Sequence, residues 1–383
     1  MEKNQKVVYF ISVIRPLDKN VTSTYIMTSS ILKGLKANNT YIVFLAICEH
    51  KEEMKAVKDY FSEYVDKVIP LPSGFGYNLS KYSQLFKLAF RSAFVGFYKT
   101  ALKDNMEEFS IIPDLIISHS PSFESICYSR ILKEKYKDVG YYQYWSDPMA
   151  LSGITPQKLD FKRLPFKIVE SHAFKYADRI IYGTRTLMSF QMHLYPKHSK
   201  KMFYVDIPYV EKTVNSNDVI PHSILYAGNF HKSIRNIEPL INAIESMEGY
   251  RLDIYGDGEI NPRFLKNTSI HGRISAEELV RIEGNYEFLV CVLNHSCIQI
   301  PGKIFYDMAR KVKIIVLADG EYKEEICSYL RQYDRFIVCN NVTSDIKEQI
   351  ISASLREVDF EKIEKKFSPK KICSDLLNGG ICN

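Results

Sequence analysis

The chain has 383 residues, 46% of them hydrophobic and 25% charged, and carries a net charge of +6. That length suits two domains of ordinary size, and that composition a globular protein with a large core. The charge allows an anionic ligand or membrane surface, but no nucleic-acid motif accompanies it.

Apolar, β-branched residues over 7–14 predict a buried strand, followed by a helix over 23–36 and a strand over 41–47. Strand, helix, strand at this spacing is a βαβ unit and implies a parallel sheet. No GxGxxG follows the first strand, which argues against a dinucleotide-binding enzyme. The stretch 77–103 has no acidic residue. Tyr82, Phe86, Phe90, Phe94 and Phe97 recur at three or four residues, and Lys87, Arg91, Lys99 and Lys103 at multiples of four. This is an amphipathic aromatic and basic helix, or two shorter ones broken near Gly96. Such a helix either docks on an anionic lipid surface or packs its rings on the sheet with lysines outward.

A strand within 113–120 ends at His119, a helix runs over about 122–137, and a strand over 139–144 ends in Trp145-Ser146-Asp147-Pro148. Ligands of open parallel sheets bind beyond the carboxyl ends of strands, so His119 and Asp147 are candidates for ligand contact or proton handling. A helix cap or turn for Asp147 and a hydrogen-bonded rim position for His119 explain them equally. The polar stretch 209–221 reads as a linker. A second βα series follows, with strands over 222–227 and 250–255 around a helix over 237–247. Its first loop, GNFHKSIRN, offers Lys232 and Arg235, and the second strand closes in Gly256-Asp257-Gly258-Glu259. Ser275-x-x-Glu278 is a capping box that starts a helix over 275–283.

The stretch 286–317 organises the rest: a strand over 287–293, a polar loop, a short helix opened by Pro301, and a strand over 312–317. Pro301 suits a first helical position, Gly302 leaves the backbone open, and Lys303 stands beside the free N–H groups of the first turn. The helix dipole contributes roughly 0.3–1 kcal/mol to anion binding, and a charged lysine a further ~1.5–3 kcal/mol. A capped helix with a solvated lysine fits the same spacing. A βα unit then runs to about 338, and a helix is expected over 360–377. The eight cysteines, Cys48, Cys127, Cys291, Cys297, Cys327, Cys339, Cys373 and Cys382, form no CxxC pair. Buried free thiols in a reducing cytosol are therefore expected. No run approaches the roughly 18 apolar residues of a membrane helix, and the apolar segment before Arg15-Pro16 is short for a signal peptide.

Pro301-Gly302-Lys303-Ile304-Phe305, with Met308-Ala309 and a following strand, resembles the P-G-K-(I/L)-F-E-Y-(M/L)-A segment of GT-B glycosyltransferases. The match is to the large retaining group that builds capsules, O-antigens and exopolysaccharides. The resemblance implies two Rossmann-like α/β domains with parallel sheets facing a cleft. Residues 1–208 would form the acceptor-side domain, with the C-terminal helix of 360–383 crossing back onto it. Residues 209–221 would be the linker and 222–359 the domain that binds a nucleoside diphosphate sugar. It implies donor contacts at Gly228, Asn229, Lys232, Arg235, Gly256, Gly258, Arg273, Ile274, Pro301, Gly302, Lys303, Ile304 and Asp307. His119 and Asp147 would lie on the acceptor side.

Three positions depart from the pattern: Ile298 and Tyr306 fall where the family has glutamates, and Asn229 where it has an arginine. Asp307 is one step out of phase, about 100° around a helix. It could pair weakly with Lys303 across one turn instead. No DxD motif sits in a suitable loop, so transfer without a metal or other cofactor is expected. The acceptor would be a growing, lipid-linked surface glycan, met in the cytoplasm at the inner face of the membrane. A partner protein that has lost catalysis, or a nucleotide-sugar epimerase, are the alternatives.

Overall fold

Continuous apolar runs such as KVVYFISV and TYIVFLAIC form strands covered on both faces, as in parallel sheets wrapped by helices. A computed structural model of the chain describes residues 5–15, 23–73, 91–119, 122–151, 160–210, 219–260, 263–295, 298–353 and 359–382. Those residues divide into two compact units, Met1–Pro208 with Phe367–Asn383, and Tyr209–Lys366.

The first unit holds β1 (Lys6–Val13), β2 (Thr40–Cys48), β3 (Lys67–Pro72), β4 (Leu115–His119), β5 (Gly140–Trp145), β6 (Arg179–Tyr182) and β7 (Met202–Tyr204). They form a parallel sheet in the order β3-β2-β1-β4-β5-β6-β7. β3, KVIPLP, falls outside the sequence reading, because two prolines argue against a strand. It lies at the sheet edge, where missing N–H donors cost little.

The second unit holds β8 (Ile220–Ala227), β9 (Arg251–Tyr255), β10 (Thr268–Ile270), β11 (Tyr286–Val292), β12 (Lys313–Ala318) and β13 (Phe336–Asn340). Their order is β10-β9-β8-β11-β12-β13, again parallel. Strand order reverses between β1 and β4 in one sheet and between β8 and β11 in the other. In doubly wound sheets this switch point is where loops diverge and leave room for a ligand.

The helix expected over 360–377 is two, Phe360–Phe367 and Pro369–Leu377. Proline supplies no N–H for a continuing helix, and Ser368 accepts the Lys371 N–H to cap a new one. The second helix packs on the helix Ser23–Ala37, where Cys373 Sγ lies 3.2 Å from the Ile31 carbonyl. Asn38 Nδ2 donates to the Gly34 and Lys370 carbonyls, both at 2.8 Å. Among the described residues the other cysteines are free as well, all buried except Cys382, while Cys297 lies outside them.

Gly34 permits this contact: a Cβ there would lie 2.3 Å from the Pro369 carbonyl oxygen and 2.6 Å from Cys373 Sγ. Backbone cannot yield as a flexible side chain would, so Gly34→Ala is expected to destabilise the first unit by about 1–3 kcal/mol. A urea unfolding midpoint equal to that of the unaltered chain would contradict this.

Candidate functional site

The carboxyl-terminal edge of the second sheet gathers most of the donor candidates. After β8 the chain turns at Gly228, whose N–H donates to the Tyr255 carbonyl at 2.9 Å, and Phe230 N–H donates to the Asp257 carbonyl at 3.1 Å. A Cβ on Gly256 would stand 2.1 Å from the Gly228 oxygen, and one on Gly258 2.2 Å from the Phe230 oxygen. The G-x-G is thus a seam of close backbone contact between the loops after β8 and β9. Arg273, beyond β10, closes on both: its Nη2 donates to Asn229 Oδ1 at 2.8 Å and its Nε pairs with Asp257 Oδ2 at 2.5 Å. Ile274 follows it, half-buried. On the other side Arg235 Nε donates to Asn294 Oδ1 at 2.7 Å, and His295 N–H to the Ile234 carbonyl at 2.9 Å. Asn294 escapes a sequence reading, because a polar residue in a polar loop carries no spacing signal.

Arg235 and Lys303 flank one spot between the ends of β8 and β11. Burial pushes the Tyr226 hydroxyl up to about 12, against the pull of Arg235 and Lys303. Burial, then Asp307, pushes the Cys291 thiol up to about 12, and the same two cations oppose it.

Lys303, however, is not a free cation. It pairs with Glu283 and lies 3.5 Å from Asp307 Oδ2. Arg310 joins them, 2.8 Å from Glu283 and 3.0 Å from Asp307. Two cations and two anions compensate each other, with Glu283 and Asp307 only 2% and 3% exposed. Burial works against the Lys303 charge, but Asp307 and Glu283 outweigh it and raise its pKa. Burial and Asp307 raise Glu283, with Lys303 and Arg310 opposing.

This corrects three expectations. Asp307 does pair with Lys303 across one turn, but as a buried group shared with Arg310 and not as a solvated one. Pro301 is the N-cap rather than the first helical residue, and the helix Gly302–Tyr306 is a short turn with little dipole. Ile304 is fully buried, with its N–H donated to the Pro301 carbonyl at 3.1 Å, so it offers a ligand nothing. Pro301 and Gly302 remain half-exposed. The uncompensated charge rests on Arg235 and on exposed Lys232, neither of which pairs with a carboxylate among the described residues.

In the first unit, His119 closes β4 but is a core residue, not a rim one. It is fully buried, stacks on Phe10 and meets Thr28 Oγ1 at 2.9 Å. Burial lowers its pKa to about 3, so it is neutral and unsuited to donating a proton as imidazolium. Asp147 is exposed and accepts a hydrogen bond from Ser146 Oγ at 3.3 Å. Beneath it, sequence-invisible Glu170 is wholly buried, accepting the Ala150 N–H at 3.0 Å and the Tyr195 hydroxyl. Burial pushes Glu170 up to about 7.

Of the basic stripe, Lys87 lies outside the described residues, and Arg91 opens the helix Arg91–Asp104. Lys99 and Lys103 are exposed, while Tyr98 and Leu102 are buried, Tyr98 against Tyr128. No helix among the described residues is long and apolar enough to cross a membrane.

No protein-family model and no curated protein matches the chain. Solved structures do. The sucrose-phosphate synthase of Thermosynechococcus elongatus is 14% identical with a TM-score of 0.66, over 98% of both chains. The lipopolysaccharide outer core galactosyltransferase WaaB is 14% identical with a TM-score of 0.58, over 98% of this chain and 99% of that one. A UDP-GlcNAc 2-epimerase from Neisseria meningitidis, bound to UDP-GlcNAc, is 13% identical with a TM-score of 0.55, over 97% and 99%. At such identities the likeness is one of fold. The chain has a two-domain α/β, GT-B-like fold, shared by the two transferases and the epimerase alike.

Two outcomes follow from the charges. Lys303→Met leaves Arg310 as the one paired cation for two buried carboxylates and is expected to cost about 3 kcal/mol of stability, whereas Lys232→Met stays within about 0.5 kcal/mol; urea denaturation of both variants checks the contrast. For His119, a folded pKa below the unfolded value favours the neutral ring. The associated stability is present above pH ~6.5 and is lost as pH falls toward about 3, by roughly 5 kcal/mol in all. Its Cε1 proton resonance should stay constant between about pH 5 and 8, where a rim histidine would titrate.

Proposed function

We propose that the protein is a glycosyltransferase that moves a sugar from a nucleoside diphosphate sugar to a growing, lipid-linked surface glycan, without a bound metal. The observation that carries this reading is the uncompensated positive charge of Arg235 and Lys232 at the switch point of the second sheet. The loops there are held together by Gly228, Gly256, Gly258, Asn229, Arg273 and Asn294. In sugar transfer the developing charge lies on the departing diphosphate, and preset donors aimed at it lower the barrier. Arg235 is the principal such donor: its planar fork suits two phosphate oxygens, and Asn294 holds its Nε. Lys303 lends positive potential from behind, reduced by its own carboxylates. Asp147, exposed at the end of β5, is the acceptor-side group open to a hydroxyl. A lipid-linked acceptor would be met at an anionic membrane surface, for which exposed Lys103 is available while exposed Lys99 lies 4.0 Å from Glu134.

A partner protein without catalysis draws support from the neutralised Lys303 and from buried Ile298 at the position of a family glutamate. Calorimetric titration with a panel of nucleoside diphosphates separates the readings. Transferase activity requires saturable binding, weakened roughly ten- to hundredfold by Arg235→Ala, which removes about 1.5–3 kcal/mol of charged hydrogen bonding. Absence of binding by every nucleotide would favour the partner protein. Conversion of a nucleotide-sugar with no acceptor present would point to an epimerase.

A further inference from the structure

The turn after β5 rests on a buried carboxylate that has no cation among the described residues. Glu170 lies in the helix Asp160–Phe174 and is wholly buried. Its Oε1 accepts the Ala150 N–H at 3.0 Å, the Met149 N–H also donates to the carboxylate, and its Oε2 accepts the Tyr195 hydroxyl. One side chain thus ties its own helix to the turn 146–151, which carries Asp147, and to Tyr195 at the end of the helix Arg185–Leu194. Glu283 and Asp307 are buried as deeply, but they have Lys303 and Arg310 beside them.

The titratable groups around Glu170 are acids, phenols and imidazoles. Tyr182 faces it from β6 and Tyr195 from beyond the next helix; burial, then the Glu170 charge, raises both above the usual phenol range. On the turn, the surrounding protein raises Asp147, with the Ser146 hydrogen bond opposing. His172, on the helix itself, packs on Tyr176. His198 packs on Phe174, and burial and then Lys201, Lys175 and Lys197 lower it. Three hydrogen bonds therefore stabilise the Glu170 anion against burial, which prevails and raises its pKa to about 7.

The two protonation states do not hold the turn equally. Hydrogen bonds to an ionised acceptor are roughly twice as strong as those to a neutral one. A protonated carboxyl also turns one oxygen into a donor. The Tyr182 hydroxyl, buried and without a hydrogen-bond partner among the described residues, offers an acceptor for that proton.

We propose that Glu170 is a proton-operated latch on the turn that carries Asp147: as a carboxylate it clamps the Met149 and Ala150 N–H groups, and on taking up one proton from solvent it slackens that hold. The carboxylate prevails above about pH 7 and the acid below it, so the turn is tight in mildly alkaline solution and slack in mildly acid solution. The latch itself does not depend on sugar transfer. Its consequence, an acceptor contact at Asp147 set by pH, rests on the transferase reading.

Hydrogen–deuterium exchange of the full chain, followed by mass spectrometry between about pH 5.5 and 8.5, tests the latch. Protection of the segment 146–151, corrected for the intrinsic pH dependence of exchange, should rise about tenfold across this range with a midpoint of about 7. Glu170→Gln, a neutral isostere, should hold the low value at every pH. Asp147→Asn and His198→Gln should each keep the rise. Fluorescence of Trp145, the chain's single tryptophan, buried against Phe174, establishes that each variant is folded. Should Glu170→Gln not fold, Tyr195→Phe decides alone: it takes one donor from the anion and should move the midpoint upward. Protection that does not vary with pH would overturn the proposal. So would a rise that survives Glu170→Gln, one that Asp147→Asn or His198→Gln abolishes, or a midpoint that Tyr195→Phe leaves in place. Failure of every nucleotide to bind would sink the transferase reading and leave the latch standing, whereas a flat exchange profile beside saturable nucleotide binding would do the reverse.

Discussion

Glu283 and Asp307, buried between the end of one helix and the turn after another, decide which cations near the second switch point can meet a ligand. Carboxylates so placed lose several kcal/mol of hydration each, and they persist as anions only if cations are brought to them. Lys303 and Arg310 fulfil that need. The consequence reaches the surface: a lysine that its sequence context marks as a phosphate ligand is committed to the interior. Arg235, held by an uncharged amide, keeps its charge for what lies outside. A neutral partner orients a guanidinium without cancelling it, and an anion does both.

The same reasoning separates what could be read in the sequence from what could not. Strands showed themselves because burial on both faces demands unbroken apolar runs, as in β2 and β11. The cap at Ser275 and Glu278 was legible because its chemistry is local, within one turn. β3 was hidden by prolines that only an edge strand tolerates. The break at Ser368-Pro369 lies in two letters that were legible, since serine before proline is a helix start. Charge pairing across long separations was not legible. Glu283 and Lys303 stand twenty positions apart in the chain, and nothing in either neighbourhood announces the other.

The first unit repeats the lesson at His119 and Asp147. His119 ends β4 and Asp147 lies two residues past the end of β5, where loops diverge, and position alone makes them equal candidates. Burial makes them different. The imidazole lies under Phe10 and Tyr144, against Thr28, where its charged form is unstable. Asp147 is exposed on a turn whose backbone Glu170 secures from below, yet the protein mass around it raises its pKa, with the Ser146 hydrogen bond opposing. A residue still within a strand covered on both faces is buried whichever way it points, as all of β4 is, and one in the turn beyond it is not, a boundary of two residues that the sequence does not mark.

Glycine in the second unit acts less through freedom of φ than through absence of bulk. Gly256, Gly258 and Gly320 each stand where a methyl group would overlap a carbonyl oxygen of a neighbouring loop. Three seams are closed in this way, two beside Arg235 and one beside Asp319. Loops joined by backbone contact resist deformation better than loops joined by long side chains, because side-chain entropy need not be lost to hold them. Preset geometry of this kind is what charge stabilisation requires, since a donor that must first be ordered spends its interaction energy on ordering. The polar groups around Arg235 are therefore organised before any ligand arrives, with a cationic side turned toward the loop after β8.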